Sequence, residues 1–158
     1  MPTFQSIAEV EQYIKDAINS CMQSEMAEAI KEAEQEAIQQ EVYDAYSPTQ
    51  YKRRYGNGGL GSPSNMIAEP GDMSVSVYNR TRSNSSPQGA NYPPPWHYPI
   101  ELAQAISSGY TVYLKPSFAE IGVPARPFVP RTYEILEGEN AAVDTLRAGL
   151  NARGIPTE

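Results

Sequence analysis

Residues 4–46 read FQSIAEVEQYIKDAINSCMQSEMAEAIKEAEQEAIQQEVYDAY, and the rest of the chain is organised around this stretch. Apolar side chains recur at Ile7, Val10, Ile14, Ala17, Ile18 and Cys21. The stripe then steps sideways through Met22, Met26, Ala29, Ile30, Ala33 and Ala37 to Val42. Spacing of three and four marks one buried helical face. Ser6 is the expected N-cap, with Glu9 three residues on to form a capping box. Neither Gly nor Pro interrupts the run before Pro48, which ends it. A straight helix over residues 7–45 would be about 58 Å long, whereas a compact domain of this size is roughly 40 Å across. The helix is therefore expected either to break, near Asn19–Ser20, or to project beyond its own domain and need partners.

At 158 residues the chain is expected to be a single domain spanning 1–158. Its core is lean, because Leu, Ile, Val and Phe total only 28 residues. That lies just under the roughly one-fifth below which composition approaches that of disordered chains. Eleven tyrosines and one tryptophan compensate in part by burying area while keeping a polar end. Such a composition favours completing burial against other subunits. The net charge of −7 is unevenly placed. Residues 1–46 carry ten acidic and two basic side chains, a net of −8, and the remainder is close to neutral at +1. An acidic helix argues against general nucleic-acid binding through that element.

After the helix, residues 47–64 form a Gly/Arg/Tyr loop holding Tyr51-Lys52-Arg53-Arg54-Tyr55 and Gly56 to Gly61. Strands are expected over 65–69 and 73–79, joined around Pro70-Gly71-Asp72. In the second, Met73, Val75 and Val77 alternate with polar residues, so they are expected to face inward. Residues 79–97 are rich in Ser, Asn, Pro and Gly and read as a flexible excursion. Residues 98–158 complete the sheet and close the chain. A helix runs from Pro99 to a stop at Gly109, a strand covers Tyr110–Leu114, and 115–130 is extended and proline-punctuated. Short and long helices follow over Thr132–Leu136 and Glu139–Arg153, with Gly154 as the cap. There are no internal repeats. The fold class expected is α+β, with a long N-terminal helix and a C-terminal helix packed on a small mixed or antiparallel sheet.

Searching for chemistry yields little. The single His97 has no second His or Cys nearby to complete a metal site or triad. The Gly56–Gly61 stretch lacks the Gly-Lys-Ser/Thr ending of a phosphate loop. Glu28, Glu32 and Glu36 repeat at four-residue spacing without His partners, the pattern of a solvated face. The lone Cys21 sits on the apolar stripe as a small core residue. No leader or membrane-spanning run is expected. The expectation is a non-enzyme with no cofactor and no metal. One constellation is site-like: Lys52-Arg53-Arg54 flanked by tyrosines, a combination suited to interfaces and to phosphate backbones alike.

The quoted residues Val42-Tyr43-Asp44-Ala45-Tyr46, Pro48, Tyr51, Arg53-Arg54 and Gly58-Gly59-Leu60 resemble a pattern in minor structural proteins of tailed bacteriophages. Leu102, Ile106, Gly109, Pro124-Ala125-Arg126-Pro127-Phe128, Thr132, Leu146, Gly149-Leu150 and Arg153-Gly154 extend it towards the neck, or tail-completion, family. That resemblance implies a virion structural protein at the head–tail junction, assembled in the host bacterial cytoplasm as a symmetric, six-fold ring. Its implied partners are copies of itself, other neck, connector and tail proteins, and DNA passing through without specific binding, with no membrane. On this reading Tyr43, Tyr46, Tyr51, Arg53, Arg54, Arg126 and Phe128 are candidate subunit-interface residues. Glu28, Glu32 and Glu36 would face the channel and repel phosphate. The alternatives are a nucleic-acid-binding regulatory protein, another minor capsid or tail component, and an enzyme built around His97.

Overall fold

The computed structural model describes residues 3–47, 58–82, 102–114 and 119–157. The quoted stretch forms a helical rod without a break. It comprises α1 (Ile7–Cys21), a wider π-helical turn (Met22–Met26), α2 (Ala27–Ile38) and a second π-helical segment (Gln39–Asp44). The backbone stays right-handed helical through the joints at Cys21, Met22, Met26, Ala27, Ile38 and Gln39. The expected break at Asn19–Ser20 is thus absent, and the sideways step of the apolar stripe has another cause. A π turn spends one extra residue per turn, so the stripe shifts around the helix where the turn occurs. Ser6 caps the helix as expected, its Oγ accepting from Glu9 N at 3.3 Å. The Glu9 carboxylate returns one residue earlier than a standard capping box, accepting from Gln5 N at 2.7 Å.

Two antiparallel hairpins follow rather than one sheet. β1 (Met66–Gly71) pairs with β2 (Ser74–Asn79), with Met66 opposite Asn79 and Gly71 opposite Ser74. Asp72 and Met73 make the turn, so Met73 is not an inward strand residue but an exposed one with φ 47°. Its amide donates to Asn19 Oδ1 at 2.7 Å and pins the hairpin tip to α1. α3 (Leu102–Ser108) leads through Gly109 into β3 (Tyr110–Leu114), which pairs with β4 (Ala119–Val123). The latter replaces part of the extended segment expected over 115–130.

α4 (Phe128–Glu137) begins four residues earlier than expected, because Pro130 falls in its first turn, where no intrahelical donor is required. A single 3-10 turn (Gly138–Asn140) joins it to α5 (Ala141–Ala152). Gly154, at φ 79°, ends α5 in a Schellman motif: Ile155 N donates to Leu150 O and Gly154 N to Asn151 O, both at 3.0 Å.

The core lies at the C-terminal half of the rod. Ala37, Ile38 and Val42 meet Leu60, Met66, Ala103 and Phe128, with Tyr43, Val77, Ile106 and Ile135 packed around them. Phe128, 1% exposed, reaches from α4 into its centre. Full burial of such a side chain contributes about 1.5–3 kcal/mol. The first turns of the rod are different. From Ile7 to Asp16 every residue is exposed except Val10 and Tyr13, which are half-buried.

Candidate functional site

The described members of the predicted interface set gather at the C-terminal end of the rod. The Arg126 guanidinium lies 5.0 Å from the centre of the Tyr46 ring, and its Nη1 donates to Val42 O at 3.4 Å. A cation there complements carbonyls that the helix end leaves without partners. The Arg126 backbone amide donates to Ile106 O at 3.0 Å, which ties the segment before α4 to α3. Tyr43 Oη accepts from Gly61 N at 3.0 Å. A Cβ at Gly61 would lie only 3.3 Å from the Tyr43 ring, so the loop is drawn tightly onto the helix. Phe128 fills the core of its own chain, leaving Tyr46, 44% exposed, as the outward aromatic of this group. Tyr51, Arg53 and Arg54 lie outside the described residues, as do His97, Gly56 and residues 83–97 of the expected excursion.

Glu28, Glu32 and Glu36 are all exposed and stand in one line along α2. Glu28 pairs with Lys31 at 2.8 Å, and Glu36 Oε1 accepts from Gln40 Nε2 at 2.8 Å. Such exposed pairs contribute little stability. Glu34, two residues from either neighbour, turns inward and is buried. Its Oε1 accepts from Asn79 Nδ2 at 2.9 Å, and the same amide nitrogen donates to Leu60 O at 2.8 Å. Burial pushes the Glu34 carboxyl above its ordinary pKa, partly opposed by the Asn79 hydrogen bond. The network continues into Thr81, whose backbone amide and hydroxyl both donate to Asn79 Oδ1, at 3.0 and 2.6 Å. Asn65 Nδ2 donates to Gly59 O and to Thr81 Oγ1. Asn79–Thr81, expected to open the flexible excursion, are instead a polar latch. It holds the 58–62 loop and the base of the first hairpin to α2.

A second latch holds α5 against the first π turn. Arg153 grips Glu25 with both ends of its guanidinium, Nη1 to Oε1 at 2.8 Å and Nη2 to Oε2 at 2.9 Å. It also donates to Gly149 O, Ser24 Oγ and Ser20 Oγ at 2.8, 2.8 and 3.1 Å. This fork, together with a hydrogen bond from Ser24, lowers the Glu25 pKa to about 2. Tyr13 Oη donates to Arg153 O at 2.5 Å. Beneath the fork, Gly149 lies directly on Cys21, where a Cβ would collide with Sγ. Burial pushes the Cys21 thiol pKa up, and the Glu25 charge adds to the shift. Nothing in the sequence reading singled out Glu25. The available signal was the shift of the apolar stripe at Met22, which marks the π turn carrying it.

Among the described residues, no three His, Cys, Asp or Glu side chains are placed to hold a metal ion. No described helix is long and apolar enough to cross a membrane. A cleft of about 190 Å³ opens between the first π turn and the hairpin, lined by Gln23, Ala68, Pro70 and Val75, none of them titratable. The sequence model of the YomN family matches residues 6–152, nearly the whole chain. No curated protein and no solved structure matches it. The chain belongs to the YomN family, a phage-derived one.

Proposed function

From that membership we propose that this phage protein is a structural component of the virion that works by assembly, as a ring at the neck where head and tail join. The observation that carries the reading is the rod itself. An unbroken helix over residues 7–44 is about 57 Å long, and among the described residues none covers most of its first turns. A self-contained domain has no use for such an arm, whereas a subunit does. The exposed line Glu28, Glu32 and Glu36 supports the further reading of a channel wall that repels DNA phosphate. Tyr46 and Arg126 stand at the opposite end from the arm as candidate contacts for a neighbouring copy.

The test is made on particles. Virions of a phage carrying this gene are purified and their proteins identified by mass spectrometry, and the gene is then deleted. The reading predicts the protein in virions at a fixed copy number, and separate heads and tails in the deletion. Absence from purified virions, with normal joined particles after deletion, would overturn it. Steeply salt-dependent DNA affinity, lost on changing Arg53 and Arg54, would favour a nucleic-acid-binding regulator instead.

A further inference from the structure

Among the described acidic and basic residues, Glu34 is the buried one. Its hydrogen-bond partner there is neutral, Asn79 Nδ2 at 2.9 Å. The rest of the Asn79 side chain fixes the direction of that bond. Oδ1 is taken by the Thr81 amide, which can only donate, and Nδ2 also serves Leu60 O, which can only accept. Asn79 therefore always offers Glu34 a donor, and Glu34 can occupy this place either as an ion or as a neutral acid. A buried carboxylate with one neutral donor and no cation is costly, and the neutral acid is far less so.

The charges on the surrounding elements are engaged elsewhere. On α2 itself, Lys31 pairs with Glu28 at 2.8 Å. The first hairpin carries Tyr78 and, on its exposed side, Glu69 and Arg80 paired with each other at 3.7 Å; Arg82 beyond it is exposed. On α4 Arg131 pairs with Glu134, and in the first π turn Glu25 pairs with Arg153. The 58–62 loop and the described residues of α3 carry no titratable side chain. None of these charges moves the Glu34 carboxyl, which burial pushes up and the Asn79 bond partly pulls back.

We propose that Glu34 is a proton-operated latch: as the neutral acid it holds Asn79, Thr81 and the 58–62 loop to α2, and as the ion it releases them. Leu102 N donates to Thr81 O at 2.9 Å, so the release extends to the first residue of α3. Gln35 Nε2 donates to Gly61 O at 2.9 Å, and this tether lets the loop swing without leaving the rod. Opening returns Glu34 to water and to its ordinary 4.5. The latch is therefore fully closed below that value, and its hold is lost as pH rises from there through the raised value of the closed form. Glu25 runs the other way, losing its contribution as pH falls towards about 2. The latch is independent of the ring reading above and stands or falls without it.

Amide hydrogen exchange on the full chain, read residue by residue by NMR and corrected for the intrinsic effect of pH, tests it. The reporters are the Thr81 amide, held by Asn79, and the Leu102 amide, held by Thr81 O. Amides of α5 around Leu150 are the control. Between about pH 4.5 and about pH 8 the reporters should lose protection by about fivefold or more relative to α5, the worth of a typical hydrogen bond. Glu34→Gln keeps the shape and the acceptor but cannot ionise. Its reporters should keep, across that range, the protection that wild type shows in acid. Wild-type reporters that do not change with pH, or that fall equally in Glu34→Gln, would overturn the proposal. Titration of the Glu34 carboxyl in wild type by carbon NMR needs no variant. A midpoint above the ordinary 4.5 is expected, and one at or below it would overturn the latch.

Discussion

The two halves of one helix are held by opposite means. From Ala27 to Asp44 the rod is clamped by packing. Ala33, Ala37, Ile38 and Val42 are buried beneath α4, the loop at Leu60 and the base of the hairpin. From Ile7 to Met26 it meets α5 and, through the first π turn, the first hairpin. The contacts there include one close approach, Gly149 on Cys21, one charged fork, Arg153 on Glu25, and hydrogen bonds from Tyr13 Oη to Arg153 O and from Met73 N to Asn19 Oδ1. A continuous amphipathic stripe therefore has two fates. Where the chain supplies covering elements it is buried, as at Cys21 and Ile38, and over the first turns, residues 7–16, it remains a surface. That difference leaves residues 7–16 exposed while residues 27–42 line the core.

The largest effect expected from breaking this contrast is on the packed side. Phe128→Ala should cost about 3–5 kcal/mol, read as a lowered midpoint in chemical denaturation. The latched side offers a sharper test. In an ordinary helix interior, Gly→Ala stabilises by about 1 kcal/mol. Gly149→Ala should instead destabilise by about 1–3 kcal/mol through overpacking on Cys21 Sγ. Adding Cys21→Ala removes the sulfur, leaves the next contacts at 3.4 Å or more, and should restore most of the loss. A stabilising single variant would show that α5 sits further from the rod.

Next is the fork. Arg153→Ala should cost about 1–2 kcal/mol, with little further loss when Glu25→Gln is added, because the two share one interaction. Glu25 has its folded pKa depressed to about 2 from an ordinary 4.5. Its contribution is therefore complete above the ordinary value and lost as pH falls through the window down to about 2. Glu25→Gln should flatten that part of the pH–stability curve, and an unchanged curve would remove the fork from the account. The smallest stability effect belongs to Glu28→Gln, Glu32→Gln and Glu36→Gln together, within about 0.5 kcal/mol of wild type for each. Under the channel reading these changes should slow DNA ejection from particles. Unchanged ejection would eliminate the channel-wall role.

Much of this contrast was legible in the sequence. The Ser6 cap, the uninterrupted run to Pro48, the Gly154 stop and the mismatch between rod length and domain size all come from local rules. Those rules give the long helix, the closing helix and a rod longer than a compact domain of this size. The π turns were visible only as a sideways drift of the stripe at Met22, since periodicity records displacement and not its cause. Two turn-forming cues misled for a physical reason. Pro130 reads as a breaker unless it is known to fall in a first turn, and Met73 reads as a strand residue until the hairpin register is fixed. The latches were illegible because each joins residues far apart in sequence. Glu25 and Arg153, or Glu34 and Asn79, are unremarkable carboxylate, arginine and asparagine until the fold brings them together.

The first turns of the rod, residues 7–16, are exposed in one copy, and assembly as proposed should cover them. Amide hydrogen exchange, followed by mass spectrometry from dilute to concentrated protein, tests it most directly. Weak protection is expected over residues 7–16 at low concentration and strong protection over 27–42 throughout. Protection of 7–16 should rise in step with the mass seen by light scattering. Residues 7–16 that are equally protected at every dilution, or still unprotected once the protein is fully assembled, would contradict it.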